Sequence, residues 1–263
     1  MNAKLRAGLL LVAAIAAFAV LGPLAVRADP DHQTLAAALA PPGSAYWLGA
    51  DHVGRSLLAR LAHGAWRSLG LAIICVTAAG MVGVAAGLAS AWRGGWLEIV
   101  VMRGADLVMA FPGLLLALLL AGLLGGGAWP LALGLTLSQW PQFARVTRAA
   151  AASALTLPHV EAAALSGHSG WFILTRHVLP PMTPQIAAIA SLSVGTAVLS
   201  IASLGFLGIG LQAPTAEWGA MVNETLPYHE EAPLLVWAPS LAIFVSVLSL
   251  HLLGEGLSQR VAR

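Results

Sequence analysis

The stretch EAAALSGHSGWFILTRHVLP, residues 161–180, sets a glutamate, an arginine, two histidines and a Ser-Gly-His-Ser-Gly turn into a chain of which only 9% is charged. Its meaning depends on which side of which barrier it faces. The surrounding chain supplies the barrier. It has 263 residues, 59% hydrophobic, with a mean hydropathy of +0.84, against about 45–50% apolar and 25% charged in a soluble domain. Such a chain belongs in a bilayer. A hydrocarbon core about 30 Å thick takes about 20 helical residues to cross, and apolar stretches near that length occur at 7–26, 68–92, 107–124, 128–144, 186–211 and 233–254. The expectation is an all-α, polytopic membrane protein with six transmembrane helices. The first stretch also reads as a signal peptide, since Lys4 and Arg6 precede it and Val26-Arg27-Ala28 resembles a cleavage site. Its apolar part is longer than a usual signal core of about 7–15 residues.

Orientation follows from the basic residues, because Lys and Arg near span ends prefer the cytoplasm. With the N-terminus inside, Lys4, Arg6, Arg93, Arg103, Arg145, Arg148, Arg176, Arg260 and Arg263 are cytoplasmic, nine of the thirteen. Arg27, Arg55, Arg60 and Arg67 fall in one exterior loop of about 40 residues and weigh against that assignment. The last exterior segment, 212–232, holds Glu217, Glu224, Glu230 and Glu231 and no Lys or Arg. It reads either as a re-entrant lip or as a solvated loop. Both termini, and residues 161–180, are placed in the cytoplasm. The basic balance then faces anionic lipid headgroups rather than nucleic acid. Cys75 lies within a span and has no partner for an intrachain disulfide.

Small residues at helical spacing point to close helix packing, since lipid offers no hydrophobic drive for helices to associate. Gly80, Gly83 and Gly87 are the clearest set; Ser191, Ser193, Thr196, Ser200 and Ser203 either pack in the same way or line a polar path. Few ionisable or strongly polar groups lie in the spans. Gln139, Gln142, Ser200 and His251 are the channel candidates, and Asp106 behind Arg103 reads as a membrane-surface ion pair. An ion-coupled carrier needs intramembrane carboxylates or a cation site, and none is legible. A P-loop requires a lysine after its glycines. The sole lysine is Lys4, so energy for transport must come from another chain.

Within the loop before the fifth span, Val160, Ala164, Gly167, Trp171 and Leu174 fall on one helical stripe. Pro158 suits a first turn, Ser166-Gly167 a break, and Pro180-Pro181 a stop. Two short surface helices with a small apolar face are predicted, free either to lie on lipid headgroups or to dock into a partner's groove. Ala162, Ala163 and Gly167 favour the partner, because small residues allow close approach.

Glu161-Ala162-Ala163, then Gly167, then Leu179-Pro180, resembles the EAA signature of bacterial ABC-importer permeases, with His177 where the family usually has Ile. Trp47-Leu48-Gly49-Ala50-Asp51-His52-Val53-Gly54-Arg55-Ser56 with Arg60 and Gly64, Arg103-Gly104-Ala105-Asp106 through Phe111-Pro112, Leu204-Gly205-Phe206-Leu207-Gly208 and Ala213-Pro214-Thr215-Ala216-Glu217-Trp218-Gly219 resemble the dipeptide, oligopeptide and nickel permeases in the same order. The wording is closest to the second permease subunit of the nickel branch. The resemblance implies a type I ABC-importer transmembrane fold in the bacterial inner membrane, divided as an N-terminal helix and exterior loop (1–66), a permease domain (67–256) with its coupling segment at 158–180, and a cytoplasmic tail (257–263). It implies a second permease subunit as heterodimer partner, two ABC ATPase subunits that bind the ATP, and an extracytoplasmic solute-binding protein. No cofactor is implied in this chain itself. ATPase coupling would fall to Glu161, Ala162, Ala163, Gly167, Leu179 and Pro180.

Cargo is nickel or a metal–chelator complex on this wording, with di- or oligopeptides as the alternative. His32, His52, His63 and His229 face outside, but no pair of them has the i, i+4 spacing of a helical metal site; His52 and His63 are weak metal candidates only. A non-transporting membrane scaffold and an intramembrane enzyme are the rivals from other classes. The latter lacks a convergent catalytic set.

Overall fold

In the computed structural model, which describes residues 3–211 and 213–261, every named element is helical. The elements are α1 (Ala3–Val26), α2 (Leu57–Arg93), α3 (Gly95–Met109), α4 (Gly113–Leu123), α5 (Ala128–Leu155), α6 (Pro158–Leu165), α7 (Gly170–Ile173), α8 (Leu179–Phe206), α9 (Trp218–Thr225) and α10 (Leu234–Val261). The all-α expectation holds. Four helices are long and apolar enough to cross a membrane: Ala3–Val26, Leu57–Arg93, Gly170–Phe206 and Leu234–Gln259. The expected third span, 107–124, is not one helix. α3 and α4 meet at an 84° bend, where Pro112 precedes α4 and can donate no backbone hydrogen bond. Counted as one span they make five. The expected fourth span lies in α5, which has 28 residues but is interrupted by Arg145 and Arg148 and does not reach the same apolar character.

Packing follows the glycines. A Cβ on Gly83 would strike the Trp140 carbonyl and stand 2.5 Å from the Phe143 Cβ, and one on Gly87 would stand 2.5 Å from the Ala144 carbonyl. The GxxxG pair therefore brings the α2 and α5 backbones together, as close small-residue interfaces do in lipid. Thr136 adds a cross-helix hydrogen bond from its hydroxyl to the Cys75 carbonyl, 3.3 Å. Gly134 admits Ala117 of α4, Gly254 admits Leu192 of α8, and Gly8 and Gly256 let α1 and α10 touch. Around these contacts the central core gathers Ala72, Cys75, Ala79, Leu131, Phe143, Ile201 and Leu204. The outward faces stay apolar and exposed, as a lipid solvent requires.

Candidate functional site

Two constructions lie at opposite ends of the bundle. At the start of α2, residues 27–56 and 213–232 fold back as a cap on the end that the sequence reading places outside. Asp51 anchors it: its Oδ1 accepts hydrogen bonds from the Val53 and Arg55 backbone N–H groups at 3.0 and 2.9 Å, and its Oδ2 accepts from Arg55 Nε at 2.6 Å. Gly54 has φ +79°, and a Cβ there would overlap the Thr34 carbonyl, so the turn tolerates only glycine. Glu224 of α9 then accepts from Arg55 Nη2 at 2.6 Å and Arg60 Nη2 at 3.0 Å, while Arg60 Nη1 donates to the Pro214 carbonyl at 3.1 Å. Arg55 and Arg60 are 3% and 1% exposed. They are structural cations, which removes their weight from the charge balance of the exterior loop.

Within the last loop, residues 216–221 are buried, while 226–227 and 229–231 are exposed. Glu217 is wholly buried and caps α9, accepting from Gly219 N at 2.9 Å, Ala220 N at 2.8 Å and the Ser68 hydroxyl at 3.1 Å. Burial pushes its carboxyl above the ordinary carboxylate range, against the pull of those three donors. Trp218 is buried in the angle between α9 and α2, and its Nε1 donates to the Leu61 carbonyl at 3.1 Å. His52 stacks on Tyr228, centroids 5.3 Å apart. His63 sits half-buried on the first turns of α2. Among the described residues no three His, Cys, Asp or Glu side chains come together in a way that could hold a metal ion.

At the other end, α6 and α7 lie beneath α2, α5 and α8. Val160, Ala163, Ile173, Val178 and Met182 bury against Ala151 and Ala154. The stripe read from the sequence is corrected here: Val160 is buried, but Ala164, Gly167 and Trp171 are exposed. Gly167 explains it, because φ +78° there reverses the chain and ends the helical period on which the stripe was counted. Glu161 and Ala162 face outward, as do Leu165 and Trp171, 84% and 77% exposed. Leu179 is half-buried and Pro180 exposed.

Pro180-Pro181 does not stop the chain. Residues 174–178 form a π turn in which the Leu179 N–H reaches the Leu174 carbonyl, and α7, the turn and α8 make one helical run, Gly170–Phe206. Prolines 180 and 181 carry no N–H for the carbonyls of an α-helical register; widening to i→i+5 carries the helix across them. His168 and His177 both flank Phe172, at 4.6 and 5.7 Å.

The channel candidates are dispersed. Gln139 is half-buried with its Oε1 unpartnered, Gln142 and His251 are exposed, and Ser200 is half-buried on α8. Among the described residues no side-chain hydrogen bond joins them. The hydroxyls of Thr196 and Ser203 bond back to the Leu192 and Leu199 carbonyls, whereas Ser191 reaches across to the Leu250 carbonyl at 2.8 Å.

The chain is thus a helical bundle with a folded cap at one end and, at the other, a short helix pair that leads into a long apolar helix. The chain superposes on a chain of the MetNI methionine ABC transporter in an inward-facing conformation with a TM-score of 0.60, at 19% identity, over 77% of this chain and 96% of that one. Residues 79–263 match the family described as "Binding-protein-dependent transport system inner membrane component", and the chain belongs to that family. It is 33% identical to the nickel transport system permease protein NikC of Escherichia coli over 97% of this chain and 92% of that protein. It is 38% identical to the glutathione transport system permease protein GsiD of Pectobacterium atrosepticum, over 82% and 72%. The probable D,D-dipeptide transport system permease protein DdpC of Escherichia coli shares 34% over 90% and 80%. The protein is thus a permease subunit of an ABC importer, a transporter of the multi-pass inner-membrane type rather than an enzyme. Permeases of this family work with a second permease, with ATPases that bind the ATP, and with a binding protein.

Proposed function

We propose that this chain forms half of a heterodimeric channel with six crossings and both termini in the cytoplasm, and that it takes up nickel or a metal–chelator complex delivered by an extracytoplasmic solute-binding protein. Residues 158–180 dock on the ATPase pair, with Glu161, Ala162, Ala163, Gly167, Leu179 and Pro180 as the coupling set. Division at residues 66 and 256 separates the first helix and its loop, the permease domain and the tail. The observation that carries the reading is the unbroken helical run Gly170–Phe206. A docked segment that continues into a span turns with it, so ATP-driven closure below tilts α8 above, a shear-type change. ATP acts only through its different affinity for the two states.

The nickel cargo draws support from the likeness to NikC along 97% of this chain. A peptide cargo is the second reading, favoured by the 38% identity to a glutathione permease. Uptake of radioactive nickel against labelled dipeptide, in cells with and without the gene, decides between them. Dipeptide uptake alone ends the nickel reading. The docking itself is tested by Gly167→Arg and Glu161→Lys. Neither position is packed against its own chain: Gly167 has nothing within 4 Å and Glu161 is exposed. Both variants should insert normally and lose transport; wild-type transport by either refutes the coupling assignment. Copurification with two ATPases and a second permease separates an importer from a scaffold.

A further inference from the structure

We propose that α3 does not cross the membrane but lies on it, as an amphipathic helix seated in the anionic headgroup boundary of the inner leaflet, and that it ties the lever to the lipid surface. The inner face is the one assigned under the proposed function. The height and tilt of α3 come from contacts alone.

α2 and α5 run parallel in one register. Thr136 meets Cys75, the position a Cβ would take on Gly83 meets Phe143, and that on Gly87 meets Thr147, so residues about 60 apart in number share a level. α4 runs antiparallel to α5, because Gly113 faces Ser138 and Gly134 faces Ala117. α4 therefore follows the bundle axis, and α3, bent from it by 84°, lies across that axis. Two ion pairs give the same answer. Glu98 pairs with Arg148, and Asp106 pairs with Arg145 at 2.6 Å. Eight residues along α3, about 12 Å, correspond to only three along α5, about 4.5 Å, at a rise of about 1.5 Å per residue.

Exposed tryptophans fix the depth. Trp66 and Trp92 on α2, 60% and 39% exposed, are separated by about 39 Å of helix, close to the 40–45 Å of a bilayer with its headgroups, and tryptophans gather at those two interfaces. Arg145 and Arg148 share levels with residues 85 and 88 of α2. α3 thus sits about 6–10 Å inside the inner tryptophan level, the depth of an interfacial helix. Its outward side carries Trp96, Ile99, Val100 and Leu107, all more than half exposed, with the Arg103 side chain 81% exposed among them. Apolar groups enter the acyl boundary, and Arg103 with the neighbouring Arg93 reaches anionic headgroups. The ion pairs to Arg145 and Arg148 attach this raft to α5 within about ten residues of the coupling segment.

The test is the depth of spin labels at Trp96→Cys, Val100→Cys and Leu107→Cys, each in a Cys75→Ala background. The full importer is reconstituted in phosphatidylglycerol-containing vesicles, with collision by oxygen and by an impermeant chromium oxalate relaxant as the readout. Ile73→Cys and Val82→Cys on α2 calibrate a crossing helix, about 13 Å apart in depth. The proposal expects the three α3 labels within about 5 Å of one depth, on the leaflet reached when the relaxant is added to the cytoplasmic side. A descent of about 16 Å from residue 96 to residue 107 means a crossing helix and overturns it. Shielding from both oxygen and relaxant means that the partner permease covers the face, and overturns it equally. Equal depth on the outer leaflet would instead reverse the assigned orientation and refute the proposed function's topology.

Discussion

The two ends of this bundle, exterior and interior under the proposed topology, are stabilised in opposite ways. At the exterior end, four charged residues, Asp51, Arg55, Arg60 and Glu224, are packed where three of them are 3% exposed or less, each answered by a partner within the chain. At the interior end, residues 158–173 bury a few small side chains against α5 and leave Leu157, Leu165, Trp171 and Phe172 exposed. The first end is knit together by ion pairs within the chain, although Leu35 and Trp47 stay 73% and 75% exposed there. The other has no such network, and its exposed apolar side chains are the surface that the proposed docking would cover.

The contrast can be broken at its strongest point first. Glu224→Ala removes one of the two carboxylates that face both buried guanidinium groups and leaves Asp51; losing one partner of a buried pair costs about 3–5 kcal/mol, which the remaining carboxylate reduces. Thermal unfolding in mild detergent should show the largest loss of any exterior variant. Next, Gly87→Val forces a branched side chain into the α2–α5 contact at Ala144 and Thr147, an overpacking worth about 1–3 kcal/mol, read in the same assay. Trp218→Phe keeps an aromatic ring but a smaller one and abandons the Leu61 carbonyl, at least about 1–2 kcal/mol by the cost of a buried unmade hydrogen bond. At the interior end the order reverses between assays. Trp171→Ser should change stability by less than about 0.5 kcal/mol, as exposed substitutions do, while transport and ATPase copurification fall sharply. Equal stability losses at both ends would erase the distinction.

Four of the six expected spans were legible because twenty apolar residues in sequence have few other uses, and Gly83 and Gly87 announced their interface by spacing alone. Segment 158–180 was legible as two short helices with a break but not as a face: the stripe through Ala164, Gly167 and Trp171 was counted across that break, where a left-handed Gly167 resets the period. The Pro180-Pro181 stop failed for a related reason, since a π turn supplies a register in which both missing donors are tolerated. The cap was the least legible part. Arg55 and Arg60 sit more than 150 residues from Glu224, and no local pattern says that two arginines in a loop are answered by one distant carboxylate. α3 was hidden for the opposite reason. Its Trp96, Ile99, Val100 and Leu107 look like the entry to a span, and the proposed sideways course rests on the 84° bend to α4 and the ion pairs to α5.

The central claim is that residues 158–180 are a cytoplasmic docking segment rigidly joined to a span. Leu165 is its most exposed apolar residue, and the chain's one cysteine, Cys75, is buried, so a single Leu165→Cys in a Cys75→Ala chain reports cleanly. With the importer assembled in membranes, the thiol should react with an impermeant maleimide only in inside-out vesicles. A short bifunctional reagent should cross-link it to an ATPase subunit, to an extent that changes when ATP is added. Labelling from the outer face, or full transport with no ATPase adduct in any nucleotide state, would contradict the account.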